Sequence, residues 1–258
     1  LVGDFGKSLR EVVDTYHPDR ILIEPSGVGK LSDVIKAVRD VQDEIGAKLN
    51  SFTTVADVTK CRIYRKNFGE FFSNQIEYAG AVILSRTDKA KPEKIEESVA
   101  LLRELNDKAP FITTPIAQLP GKKILETMEE SRSLEEELLS EIVCPECGHH
   151  HEDRECCSHG HGHHHADEVF TSWGRETIHT YTKEQISDIL KSLEEDGSYG
   201  NILRAKGMVA GTDSEWIYFD MVPGEHEVRT GAPEYTGRIC VIGAEIKEEK
   251  LAELFGIV

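Results

Sequence analysis

The sequence predicts an α/β protein: a parallel sheet with helices on both faces, followed by a smaller α+β domain. Three observations predict it. Residues 1–141 alternate short apolar runs with stretches of helical period. Residues 142–167 collapse into Cys, His, Gly and acidic residues. From residue 168, strand-like runs dominate around two helical segments. Strand, helix, strand, helix is the pattern of parallel βα units. Mostly antiparallel pairing fits the last part. The division expected is therefore 1–141, a linker at 142–167, and 168–258.

Element by element, Leu9, Val12, Val13 and Tyr16 share one helical face within Phe5–Tyr16. Arg20-Ile-Leu-Ile-Glu24 is a short apolar run expected to form a strand, with Gly27 and Gly29 directly behind it. Leu31, Val34, Ile35, Val38 and Val41 make a second helical stripe. A strand at Ser51–Asp57, a helix through Phe71–Tyr78 and a strand at Ala81–Leu84 follow. A charged helix at Pro92–Lys108 and a strand at Phe111–Thr114 close the series. Continuously apolar strands suit a sheet buried on both faces. Beyond the linker, strands are expected at Glu168–Trp173, Ile178–Tyr181, Asn201–Val209, Glu215–Met221 and Arg238–Ile242. Helices are expected at Lys183–Glu195 and Lys247–Phe255. Thr182 followed three residues later by Gln185 reads as a capping box.

Composition excludes several classes. Hydrophobic residues make up 39% and charged residues 30%, which places the chain among soluble globular proteins. No apolar run is long enough for a membrane span, and no amino-terminal signal peptide is visible. The first residue is Leu, so a fragment or processed product is expected, with any targeting signal upstream. A net charge of −17, spread along the chain, repels phosphate backbones and attracts cations. Nucleic-acid binding is disfavoured. Four of the six Cys fall between 144 and 157. Cys clustered with His reads as metal binding, whereas a disulfide framework would spread them, so a reducing cytoplasm is the expected compartment. Cys61 and Cys240 sit in apolar contexts and are expected to be small buried hydrophobes.

Two loops carry candidate chemistry. Glu24, at the carboxyl end of its apolar run, stands where α/β sheets bind ligands. There it can hold magnesium through water, and Gly27 lets backbone N–H approach a phosphate. A plain tight turn with a surface carboxylate explains the same residues. The second loop is Ser85-Arg86-Thr87-Asp88, again at the end of an apolar strand. In GTP-binding proteins this place carries Asn-Lys-x-Asp, whose Asp accepts two hydrogen bonds from guanine. Asp88 stands in that place, Arg86 can lay a planar cation over the purine, and Ser85 is too short to repeat the tether of Asn. An Asp that caps the following helix is the alternative. Asp57, ending its own strand, either faces the same site or caps the next helix.

In this order and spacing, the chain resembles the CobW-like branch of the metallochaperone GTPases, whose relatives include UreG and HypB. Besides the Glu24 and Asp88 strands, the resemblance rests on Leu1–Arg10, Asn74-Gln75-Ile76-Glu77-Tyr78-Ala79, and Thr113-Thr114-Pro115. It extends over the carboxyl-terminal part from Val169, through Arg204-Ala205-Lys206-Gly207, to Arg238–Gly243. It implies an incomplete P-loop NTPase-type sheet and a CobW-type C-terminal domain. It further implies GTP and magnesium as ligands, a transition metal as cargo and a metal-receiving client protein. By the same resemblance Glu24 serves magnesium and water and Gly27 senses the terminal phosphate. Ser85, Arg86 and Asp88 read guanine, and Thr114 lies in the last nucleotide-contacting loop. A homodimer is compatible with it. Two departures matter. No Gly-x-x-x-x-Gly-Lys-[Ser/Thr] loop occurs in the 258 residues, and no Cys-x-Cys-Cys precedes Cys61. Hydrolysis is expected only if such a phosphate loop lies upstream of Leu1.

The Cys/His tract stands without any family. Cys144 and Cys147 form a Cys-x-x-Cys knuckle, followed by His149, His150 and His151, then Cys156 and Cys157. His159, His161, His163, His164 and His165 close the run, so 12 of the 22 residues from 144 to 165 are thiol or imidazole. Such ligands suit tetrahedral zinc, and also nickel, cobalt or Cu(I). The redundancy suggests a flexible loading segment more than one rigid site, with a fixed four-thiolate site and an inert linker as alternatives. Two functions compete: a GTPase that delivers metal, or a non-catalytic metal buffer or sensor. A zinc-ribbon nucleic-acid binder is a third, opposed by the lack of a basic stripe.

Overall fold

The computed structural model describes residues 2–25, 29–129 and 171–257. The chain divides into two compact units, Leu1–Ser131 and Arg132–Val258.

In the first unit, helices α1 (Val2–Tyr16) and α2 (Leu31–Gln42) precede strand β1 (Thr53–Asp57). Helix α3 (Cys61–Glu77) leads to β2 (Ala81–Ser85), α4 (Pro92–Arg103) to β3 (Phe111–Ile112), and α5 (Gly121–Glu129) ends the described part. The strands lie in the order β1-β2-β3 and pair in parallel, with Asp57 opposite Ser85 and Ile83 opposite Ile112. Parallel pairing requires a crossover, and α3 and α4 supply it. Val82, Leu84, Leu102, Ile76 and Phe111 are fully buried where these helices meet the sheet. β3 is buried throughout and β2 mostly so, with Ile83 and Ser85 partly exposed. The outer strand β1 alternates, burying Thr54 and Ala56 while Val55 is exposed. Helix α3 begins ten residues earlier than its apolar spacing suggested. It bends at Gly69, whose φ of 3° and ψ of −79° are not helical, and a glycine is a frequent cause of such kinks.

The run Arg20–Glu24 does not form the expected strand. Residues 20–25 join no ladder, and Leu22 is 89% exposed. A strand is held by its cross-strand partners more than by intrinsic preference. None lies beside this run among the described residues.

The second unit is an antiparallel sheet in the order β4-β9-β6-β7-β8, with β5 added in parallel to β6. Its strands are β4 (Thr171–Thr177), β5 (Thr180–Tyr181), β6 (Asn201–Gly211), β7 (Trp216–Val222), β8 (Glu225–Gly231) and β9 (Gly237–Ala244). Helices α6 (Lys183–Glu195) and α7 (Glu248–Phe255) contribute Ile186, Leu190 and Phe255 to a core with Trp173, Phe219 and Val241. Phe255 stacks between Trp173 and Phe219, with ring centres 5.8 and 6.3 Å away. Gly207 makes this packing available: a Cβ there would sit 2.3 Å from the Phe219 ring. Cys61 and Cys240 are both buried, as expected. No helix of the described residues is long and apolar enough to cross a membrane.

The capping box is formed as read. Thr182 Oγ1 accepts from Gln185 N at 3.1 Å, and Gln185 Oε1 accepts from Thr182 N at 2.8 Å. Thr182→Ala is expected to destabilise the second unit by about 1 kcal/mol. Both Trp residues of the chain lie in this unit, so urea unfolding followed by Trp fluorescence reads it directly. An unchanged midpoint would show the cap to be dispensable.

Candidate functional site

Because β1, β2 and β3 run in parallel, their carboxyl ends open on one edge, which is where α/β sheets place ligands. Three loops leave that edge: Asp57–Lys60, Ser85–Asp88 and Thr113–Pro115. The ladder continues into the first two, since Val58 N donates to Ser85 O at 3.2 Å. Ser85 Oγ donates to Ala56 O at 3.3 Å, so this short side chain does tether its loop, to the backbone of β1. From α4, Ser98 Oγ donates to Val58 O at 2.9 Å and fixes the first loop from below. Thr113 and Thr114 are both buried. Thr114 stands two residues past the paired Ile83–Ile112, level with Ser85.

Arg86 adopts a left-handed backbone, φ 63° and ψ 22°, which is uncommon for a residue with a side chain. After it, a single 3-10 turn at Thr87–Lys89 buries Thr87 and leaves Asp88 exposed to solvent. The Arg86 Nε lies 3.1 Å from Asp57 Oδ2. Asp57 Oδ1 accepts from Thr59 N at 2.9 Å and from Thr59 Oγ1 at 2.6 Å. Asp57 does not cap α3, whose N-cap is Lys60 without a side-chain bond; one of its oxygens instead organises the turn before that helix, and the other meets the neighbouring loop. Partial burial works against its charge. The two Thr59 bonds, Arg86 and Lys60 outweigh that and hold the carboxyl below its ordinary range. Beneath it, burial pushes the Cys61 thiol up, and its Sγ donates to Asp57 O.

Of the residues singled out in the sequence, Ser85, Arg86, Asp88 and Thr114 therefore meet at one edge. Glu24 is exposed on an irregular stretch, and Gly27 lies outside the described residues. The segment just after Gly27 is held by α3. Gln75 Nε2 donates to Gly29 O at 2.9 Å, and Asn74 Oδ1 accepts from Ser32 N at 3.2 Å. Asn74 Nδ2 donates to Ser32 Oγ at 3.1 Å, and Lys30 pairs with Glu70. Every candidate metal ligand from Cys144 to His165 lies outside the described residues. Among those described, no group of three or more His, Cys, Asp or Glu is placed to hold a metal.

Sequence reasoning missed one residue that braces the sheet from its opposite edge, where β2 and β3 begin. Asn106, buried just after α4, donates through Nδ2 to Ile76 O at 2.8 Å and Ala79 O at 2.9 Å. Its Oδ1 accepts from Ala109 N at 2.9 Å and Lys108 N at 3.2 Å. An Asn at a helix end, where its amide can serve backbone groups, was the available signal.

The chain thus joins a parallel α/β unit, with its loops gathered at one edge, to an antiparallel α+β unit, and comparison identifies the family. Residues 1–113 match the family model for the CobW/HypB/UreG nucleotide-binding domain. Residues 170–257 match that for the cobalamin synthesis protein cobW C-terminal domain. The chain belongs to the CobW/HypB/UreG family. Among solved structures, it is similar to the Zn(II)-bound YjiA GTPase from E. coli, at 18% identity and a TM-score of 0.40. That alignment covers 96% of this chain and 74% of YjiA. A Zn(II)-bound triple mutant of YjiA GTPase aligns with the same coverage at 17% identity and a TM-score of 0.37. No curated protein matches.

Proposed function

We propose that this chain belongs to a GTP-binding metallochaperone, in which GTP binding and hydrolysis are coupled to delivery of a transition metal to a client protein. The observation that carries the reading is the meeting of Ser85, Arg86, Asp88 and Thr114 at the carboxyl edge of the sheet, in a chain that also holds the Cys/His tract. The residues fit a guanine base. Asp88 offers an exposed carboxylate to its two donors and Arg86 a planar cation to its ring, with Thr114 in the neighbouring loop. Magnesium, when bound, would neutralise phosphate charge, and Glu24 is the carboxylate assigned to it, with Gly27 at the terminal phosphate. Zinc is the first choice of cargo, cobalt or nickel the next, collected by Cys144, Cys147, Cys156, Cys157 and the neighbouring His. Those thiols need a reducing compartment such as the cytoplasm to stay free.

No Gly-x-x-x-x-Gly-Lys-[Ser/Thr] loop occurs within the 258 residues, so no hydrolytic step is assigned to them. Ser85 in place of the Asn of Asn-Lys-x-Asp favours a second reading, a metal buffer or sensor without catalysis. Zn(II) release to a chromogenic chelator, measured with and without GTP, separates the two. The chaperone reading expects release to depend on nucleotide. Equal rates in both arms would assign the buffer. Replacing Cys144, Cys147, Cys156 and Cys157 together with Ser is expected to lower the bound zinc stoichiometry in either case. An unchanged stoichiometry would remove the tract from the function.

A further inference from the structure

We infer that Asp57 is a positioning residue for base recognition: it clamps the Arg86 guanidinium by its Nε, so that the planar group is presented beside Asp88. The inference rests on the nucleotide reading above.

An arginine side chain is long and flexible, and restricting it beforehand lowers the ordering cost of stacking on a ring. Here two constraints restrict it. The left-handed backbone at Arg86 sets the direction in which the side chain leaves the loop. The carboxylate of Asp57 then holds Nε at 3.1 Å. The anchor is itself anchored: both Thr59 bonds fall on Oδ1, leaving Oδ2 for the arginine. Asp57 and Ser85 are register partners on adjacent strands, so the anchor and the base-reading loop share a rigid frame. The exposures divide the work. The Asp57 side chain is 13% exposed and that of Arg86 55%, so the clamp is inside and the clamped group faces out. Binding through Nε leaves both terminal nitrogens and the flat face of the guanidinium for a ligand. Lys in place of Arg86 would lack the Nε that Asp57 holds, which gives this loop a reason for Arg.

A purely structural Asp57, stapling the turn into α3, would leave base selectivity alone. The test is therefore calorimetric titration of the full chain with GDP and with ADP, on Asp57→Asn, Arg86→Ala and the double variant. Asn keeps an oxygen for Thr59 and removes the charge from the arginine. Each single variant is expected to weaken GDP binding roughly five- to tenfold, the range of a lost cation–ring contact, with the double variant no weaker than Arg86→Ala. If Asp57→Asn binds GDP like the unmodified chain while Arg86→Ala does not, the positioning role is overturned and the guanine reading stands. Losses that add in the double variant also overturn it. An unmodified chain with no preference for GDP over ADP overturns the guanine reading, and this role with it.

Discussion

Asn106→Ala is expected to destabilise the first unit by about 3–5 kcal/mol, a large share of the roughly 5–15 kcal/mol that holds a domain together. The amide of Asn106 faces the end of α3 with its nitrogen and the approach to β3 with its oxygen. One side chain thereby fixes where β2 begins and where β3 begins. Truncating it strands the backbone carbonyl of Ala79 and the amides of Lys108 and Ala109, and leaves Ile76 O with only the Ala79 N–H, in a place where Asn106 is only 7% exposed. Each unpartnered buried group costs about 1–3 kcal/mol, with some of that recovered as water enters. Asn106→Asp is expected to be no better, because it sets a carboxylate against carbonyl oxygens. Urea unfolding followed by far-UV circular dichroism should show an earlier transition. Trp fluorescence should hold its midpoint, since Trp173 and Trp216 report the other unit. A loss below about 1 kcal/mol would mean that the loops close without this amide.

Asp88→Asn is expected to weaken GDP binding roughly 10- to 100-fold, the worth of one or two hydrogen bonds to a charged acceptor. Guanine presents two donors, N1–H and the 2-amino group, to the carboxylate. An Asn amide offers one acceptor and one donor instead. Xanthine carries an oxygen where guanine carries the 2-amino group, so the same substitution is expected to improve XDP binding. Because Asp88 is exposed on a 3-10 turn, the unfolding midpoint should not move. Calorimetric titration with both nucleotides gives the answer. Unchanged GDP affinity in Asp88→Asn would remove guanine recognition from this loop.

Much of the fold was legible because it depends on periodicity. The buried stripe of α2, the apolar run of β2 and the capped start of α6 are local patterns, and each falls where its residues placed it. The failures have particular causes. Arg20–Glu24 has the composition of a strand and no partner strand among the described residues. Helix α4 stops at Arg103 instead of Lys108 because the Asn106 side chain takes over backbone groups that a longer helix would need. Strand β8, Glu-His-Glu-Val-Arg-Thr-Gly, has little apolar signal because it lies at a sheet edge, and only its neighbour β7 makes it a strand. At the candidate site, Asp88 was legible from its place after an apolar strand. The Asp57–Arg86 pair was not, since 29 residues separate its members and only the register of β1 on β2 brings them together.

The strand order of the second unit has a consequence for how the protein is made. β9, Gly237–Ala244, sits between β4 and β6 and pairs with both. Until the ribosome has delivered that late segment, β4 has no partner strand in the sheet, and β6 offers an unpaired edge to any other nascent chain. The unit therefore cannot be completed while its own synthesis is under way, and its closing step pairs Thr171 with Gly243 and Thr177 with Gly237, far apart in sequence and so a slow kind of contact. During that interval the exposed edges are an aggregation hazard that chaperones must cover.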